Sequence, residues 1–365
     1  MNGFANHPSC RVACLCDTDP NALAHSQAAT GIDATRSHLD QVLADRQIDA
    51  VALFTPAPLH AEQSAAALRA DKHVLCAVPA ATTEQGCRDI ALAAKESGRV
   101  YMMAENWPYE PSVRKAQSLF SAGRLGSLFY GEAEYLHHTE KLWFTPAGDP
   151  PWRHALAPML YPTHGLGPYL HMTGDRFVDV TAQQVSGREP PGATPDRAWL
   201  QLAVLRSANG CLFKLMNTFC NAHPGGHYLS LYGDRGSFET ARGKQARFVA
   251  RYWSLGDEPR EMAEETCTYP PLPDYVEDMG GHAGPAVGII DDFVQAILDG
   301  TTAPIGPILA AHMTLPGICA VQSIQSGQRV EIPDPQAWID ACAERGRQLT
   351  VCIRRWVSEP SWVSA

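Results

Sequence analysis

The sequence predicts an α/β protein in two parts: a parallel sheet wrapped by helices, then an α+β region with a large, mostly antiparallel open sheet. Three observations carry this reading. Over the first hundred residues, short apolar runs alternate strictly with helical stretches, the order of parallel β-α-β units. After Gly126 extended runs separated by turn residues take over, which describes antiparallel strands. The chain has 365 residues, 45% hydrophobic and 19% charged, enough for roughly two full cores rather than one.

The elements follow in order. RVACLCD (11–17) is a strand, followed by a helix near 20–29, then the strand DAVALFTP (49–56) and a helix near 59–70. HVLCAVP (73–79) precedes a helix near 83–97, and RVYMMAE (99–105) leads into a helix around 111–122 that ends at Gly123 and Gly126. SLFYGEAEYLHH, DVTAQQVSG, AWLQLAVLRSANGCLFKLMNTF, HYLSLYGDRGSFE and QARFVARYW are the extended runs. Later, VGIIDDFVQAILDG (287–300) sets Ile289, Phe293 and Ile297 at helical spacing and stops at Gly300, and another helix spans 306–326. The expected division is a first domain over 1–105, a second over 106–335 and a tail over 336–365.

A net charge of -10 and a pI near 5.8 argue against nucleic acid or an anionic membrane surface, since both would be repelled at long range. No apolar run is read as approaching the roughly 20 residues that span a bilayer, and MNGFANHPSC lacks the layout of a signal peptide. The expected location is cytoplasmic. Eleven cysteines are scattered, several of them (Cys14, Cys16, Cys76) in apolar runs and none in a Cys-x-x-Cys pair. Buried free thiols are therefore expected, rather than disulfides or a metal site.

The first strand ends on Asp17. An acid at the end of a second Rossmann strand hydrogen-bonds the adenosine ribose and repels a 2′-phosphate, which favours NAD over NADP; Asp17 could equally cap the helix that starts near Pro20. The glycine fingerprint of a dinucleotide site normally lies about 20 residues before that acid, which places it before Met1. The expectation is a truncated start or a cofactor-free protein. In the usual strand order the missing strand is central, so the strands at 11–17 and 73–79 are expected to lack a partner.

DAVALFTPAPLHAEQSAAALRADKHVLCAVPAATTEQ resembles the hallmark of the Gfo/Idh/MocA oxidoreductases, a Thr-Pro-x-x-x-His turn beside the nicotinamide ribose followed by a strand ending in Glu-Lys-Pro. Here the first reads Thr55, Pro56 and His60, and the second reads Ala77, Val78 and Pro79. A valine thus stands where the family has its catalytic lysine, and it cannot transfer a proton. YMMAENWPY (101–109), GEAEYLHH (131–138), Trp152-Arg153-His154, MLYPTHGLGPYL (159–170) and MGGHAG (279–284) look like motifs of the branch that holds the NAD-dependent α-N-acetylgalactosaminidases. The resemblance covers roughly residues 10–335. In that branch it implies transient oxidation at C3 of a sugar, elimination and return of the hydride, with no metal.

The resemblance points to Glu105, Tyr135, His137 and His164 as catalytic residues. For the cofactor it points to Asp17, Thr55, Pro56, His60, Pro79, Glu105 and Asn106, and for the substrate to Trp152, Arg153, Tyr161 and His282. Tyr135 and His137 alternate on one strand and so share a face. Imidazole titrates near neutrality, and His164 becomes the leading base with Val78 in the lysine's place. Leu160 stands where the family often has a supporting aspartate. Bland readings stay open: Tyr135 as sheet filler, His137 or His138 as solvated, Glu105 in a surface ion pair, and His282 in a surface turn. Trp107, Tyr109, Trp143 and Trp152 hint at stacking on a sugar ring, or at core packing.

Three functions follow. The first is an NAD-dependent oxidoreductase acting on a sugar, cyclitol or glycosylated small molecule. The second is an NAD-dependent glycosidase or lyase that recycles its hydride, and the third a cofactor-free, non-catalytic relative. The open sheet is expected to pair copies into a homo-oligomer.

Overall fold

The computed structural model describes residues 2–139, 152–186, 198–219, 223, 225–271, 273 and 283–342. After α1 (Asn2–Asn6) come β1 (Leu15–Cys16), α2 (Pro20–Thr30), β2 (Thr35–Arg36), α3 (Leu39–Leu43), β3 (Ala50–Leu53), α4 (His60–Arg69), β4 (His73–Cys76), α5 (Glu84–Ser97), β5 (Tyr101–Met103) and α6 (Pro111–Ser121). Local chemistry sets these bounds. The Asp19 carboxylate accepts the N–H of Asn21 at 2.8 Å, with Pro20 in the first turn, and Gly31 closes α2 in the left-handed region that glycine adopts freely. On α5, Thr83 accepts from Gly86 N at 3.1 Å.

The parallel strands form two separate sheets, β1-β2 and β3-β4-β5. Among the described residues no strand lies between β1 and β3. The expected open edges therefore exist, but one was misplaced: β4 pairs on both sides, and β3 carries the open edge instead. The short β2 had escaped notice because two residues leave no periodicity, and missing it shifted the strand count by one. Along β3 the apolar surface stays uncovered, with Ala52 exposed and Phe54, just past its end, 62% exposed.

The second region runs β6 (Leu128–Leu136), α7 (Trp152–Ala155), α8 (Thr163–Thr173), β7 (Phe177–Ser186), β8 (Ala198–Ser207), β9 (Leu212–Thr218), β10 (Gly226–Gly233), β11 (Gly236–Thr240), β12 (Val249–Ser254), β13 (Ala263–Thr266), α9 (Ala283–Asp299), α10 (Pro307–Ser326) and β14 (Val330–Glu331). Its nine strands lie in the order β13-β12-β11-β10-β6-β9-β8-β7-β14, antiparallel except for the β6-β9 pair. This is the predicted open sheet. α8 and α10 cover its inner face, and α10 also packs on α5, so one core of buried apolar side chains continues from the first sheet into the second.

Two readings need correction. α10 is long and apolar enough, by length and composition, to cross a membrane; the sequence reading overlooked it. Here its residues from Ala310 to Ala320 are mostly buried as a core helix. Of the cysteines placed in buried strands, Cys76 is buried, but Cys16 is exposed and Cys14 half-buried because β1 lies at an open edge.

Candidate active site

The site gathers where the C-terminal ends of β3, β4 and β5 meet the inner face of β6 and the start of α8, the side on which parallel α/β sheets bind ligands. His60 staples two of these strand ends together. Its Nδ1 lies 2.8 Å from Pro79 O and its Nε2 2.8 Å from Thr55 O. Burial holds the imidazole below its ordinary pKa, against the pull of the two carbonyls. The Thr55 hydroxyl donates to Gln63 Oε1 at 2.5 Å, which fixes the turn that Pro56 begins.

Glu105 follows β5 and is fully buried. Its Oε1 accepts from His164 Nδ1 at 2.7 Å and from the backbone N–H of Trp107 at 3.0 Å, while Oε2 is buried with no hydrogen-bond partner among the described residues. A surface ion pair is thereby ruled out for Glu105. The helix carrying His164 approaches this closely because it presents glycine: a Cβ on Gly167 would lie 3.1 Å from Glu105 Cγ. The arrangement is a carboxylate-imidazole dyad, in which the acid fixes the ring and leaves Nε2 to exchange a proton. Glu105 supplies the carboxylate that Leu160 lacks.

Tyr135, buried on the inner face of β6, stacks on Tyr161 with ring centroids 5.7 Å apart, and its ring lies edge-on to that of His164 at 5.1 Å. Its hydroxyl donates to His137 Nδ1 at 2.7 Å. Burial pushes the Tyr135 hydroxyl well above its ordinary pKa, helped by Tyr161 and Glu105 and opposed by Arg153. Asn217 Nδ2 donates to Pro158 O at 3.0 Å and to Tyr161 O at 2.9 Å, and so sets the turn that carries Tyr161. Trp152 packs with Tyr135, Leu156 and Phe219, and Arg153 lies over the Trp152 ring.

The sequence thus named most of a real cluster, since Glu105, Tyr135, His137, Tyr161, His164, Trp152 and Arg153 converge, with Thr55, Pro56, His60, Pro79 and Asn106 at the strand ends beside them. Asp17 stands apart at the end of β1. It accepts the N–H of Asp19 at 2.9 Å, and Asp19 rather than Asp17 caps α2. His282 and Trp143 lie outside the described residues.

Two groups were missed. His227 on β10 pairs in register with Tyr135, and its ring lies 3.9 Å from Trp107, 4.8 Å from Tyr135 and 5.6 Å from His164. Its signal was period two with the buried Leu229 and Leu231, which put it on the inner face. The second is Glu110, a fully buried acid that accepts from the Tyr269 hydroxyl and pairs with Arg247 at 3.3 Å. Burial raises its pKa, although Tyr269, Arg247 and His164 oppose this.

The residues fit one end of a dinucleotide. Thr55, Pro56, Pro79, Glu105 and Asn106 ring the parallel strand ends, with the orphaned Glu105 Oε2 inside, as a nicotinamide ribose needs. A diphosphate needs backbone amides at a helix start. That turn follows the central strand of such a sheet, and among the described residues no strand lies between β1 and β3 to carry it.

Residues 1–105 match the family model GFO_IDH_MocA, described as the oxidoreductase family with an NAD-binding Rossmann fold. A glycosyl hydrolase family 109 protein of Solibacter usitatus is 23% identical over 90% of this chain and 82% of its own length. Another, of Shewanella amazonensis, is 34% identical over 48% of this chain and 43% of its own. Among solved structures, levoglucosan dehydrogenase in complex with NADH and levoglucosan superposes with a TM-score of 0.78 at 23% identity, over 91% of this chain and 95% of that one. An oxidoreductase domain protein from Kribbella flavida gives 0.75 at 21%, over 88% and 90%. With the parallel strand ends and the Thr-Pro-x-x-x-His turn in place, residues 1–105 match the NAD-binding Rossmann fold of the Gfo/Idh/MocA oxidoreductase family, and the whole chain shares the fold of the solved oxidoreductases.

Proposed function

We propose that the protein oxidises a hydroxyl of a sugar, cyclitol or glycosylated small molecule with NAD as hydride acceptor. The Glu105-His164 dyad is the observation that carries this reading: a fixed imidazole at the end of the parallel strands. A nicotinamide held by Thr55, Pro56, Pro79 and Asn106 would supply the hydride acceptor. The chain's own part is to stack the sugar against Tyr135, Tyr161 and Trp152, to keep water out, and to take the hydroxyl proton on His164 Nε2. Levoglucosan dehydrogenase, a sugar-acting neighbour, supports a carbohydrate substrate.

The family 109 relatives favour a second reading, in which the hydride returns to the sugar and a glycoside is cleaved. A panel of free sugars and aryl glycosides, incubated with NAD, separates the two. Net absorbance at 340 nm from free sugars supports the oxidoreductase; aryl release without net NADH supports the glycosidase. Neither signal, with no NAD retained on the protein, would overturn both.

The outer face of the open sheet supports a homo-oligomer. Leu200, Leu202, Val204 and Met216 share it, with Val204 41% and Val185 58% exposed, and the Lys214-Glu132 and Arg242-Glu134 pairs flank them. An exposed apolar patch rimmed by polar residues favours contact with a second copy.

A further inference from the structure

One cation in the site has no acid. Arg153 on α7 is half-buried, with its guanidinium 4.4 Å from the centre of the Trp152 ring, and among the described residues no carboxylate or carbonyl pairs with it. Elsewhere in the chain arginines are tied to acids: Arg206 to Asp179, Arg242 to Glu134 and Arg251 to Glu264. The acids behind the pocket are already committed, Glu105 to His164 and Trp107 N, and Glu110 to Tyr269 and Arg247. The Tyr161 hydroxyl is a second donor with no hydrogen-bond partner among the described residues. Burial raises the pKa of the Tyr161 and Tyr135 hydroxyls and the Arg153 charge opposes it, while at His60 that charge adds to the effect of burial. The positive charge therefore faces the interior of the site.

We propose that the substrate carries a carboxylate, as in a uronic acid, and that Arg153 and the Tyr161 hydroxyl receive it. The inference rests on the reading that a sugar is oxidised in this pocket. Facing a substrate does not by itself choose one, since a guanidinium also donates to neutral hydroxyls; the missing acid does. A guanidinium drawn partly out of water is costly without an anion, and its planar fork matches the two oxygens of a carboxylate. Contact with the Trp152 ring leaves the N–H donors of that fork for a ligand.

Tyr161 joins this end of the pocket to the dyad, its ring lying edge-on to that of His164 at 5.1 Å. A pyranose lying along Tyr161 brings one hydroxyl to His164 and its carboxylate to Arg153. A neutral sugar leaves the guanidinium without an anion. A phosphate fits less well, because it carries nearly two charges at neutral pH and meets one arginine.

The test compares the wild type with Arg153→Met and Arg153→Lys on paired probes with NAD: galactose against galacturonate, glucose against glucuronate, and the methyl ester of galacturonate. The wild type is expected to prefer each acid over its neutral parent by roughly 100-fold in kcat/KM, chiefly through KM, with the ester behaving like the parent. Arg153→Met should bring that ratio close to one, and Arg153→Lys should keep part of it, because a point charge replaces the fork. A loss of packing alone would lower both rates and leave the ratio. Equal or better turnover of the neutral sugars by the wild type, or a ratio that survives Arg153→Met, overturns the carboxylate site and leaves the oxidoreductase reading standing. If no probe turns over, that reading fails, and titration with galacturonate, galactose and galactose 6-phosphate in the presence of NAD, followed by tryptophan fluorescence, decides the site alone. Saturable binding of galacturonate that Arg153→Met abolishes supports it; tighter binding of the phosphate or of galactose, or binding of none, overturns it.

Discussion

At the residue scale, the dyad joins a buried acid to an imidazole. Glu105 is fully buried, and a buried carboxyl group needs hydrogen-bond partners; here these are His164 Nδ1 and Trp107 N. Glu105→Gln keeps the volume and removes the carboxyl group that holds the ring. The variant is expected to fold and to lose about 100-fold or more in kcat with little change in KM, read from initial rates; an unchanged kcat would remove Glu105 from the chemistry. His60 teaches a different lesson. Its motif was legible, but the structure gives its ring to two backbone carbonyls. His60→Ala should therefore cost about 2 kcal/mol in a urea melt, by leaving polar groups unpaired, before any effect on cofactor binding.

At the scale of elements, the strand-helix alternation of the first region was readable because apolar period and caps agree: Asp19 and Gly31 bracket α2, and Thr83 and Gly98 bracket α5. α8 was not readable. Gly165, Gly167 and Pro168 lower its helix propensity, and its stability comes from packing, since a Cβ on Gly165 would come within 2.4 Å of Leu215 Cδ1. The start of β10 obeys the same logic. Gly226 has φ 149°, and a Cβ there would lie 2.5 Å from Gly243 Cα. Gly226→Ala must push two backbones apart and shift His227 off Trp107. A loss of roughly 2 kcal/mol or more and a red-shifted tryptophan emission are expected, and unaltered stability and emission would show that the close approach is dispensable.

At the scale of the whole molecule, the homo-oligomer proposed above is tested on the outer face of the open sheet. Val204→Glu places a charge on the outer face beside Leu202, between Thr181 and Lys214 on the adjoining strands, and light scattering should then report one chain of 39.7 kDa where the parent reports a multiple; a parent already at the single-chain mass removes the proposed interface. Acid stability is a second global property. Burial holds His60, His171 and His312 below their ordinary pKa. Each then binds more protons unfolded than folded between its depressed value and about 6.5, so stability falls as pH drops through that window. Thermal melts should show Tm declining from pH 7 to 5, with a shallower slope in His312→Leu. By itself the sequence determined the two-part α/β order, the open sheet and the names of most site residues, because periodicity, capping and short motifs are local signals. It left open which bland readings held, and it missed His227, Glu110 and α8. Only the tertiary structure decided these, because hydrogen-bond partners and burial depend on groups far apart in the chain: Glu105 meets His164 across 59 residues, and Tyr135 meets His227 only through the register of β6 and β10.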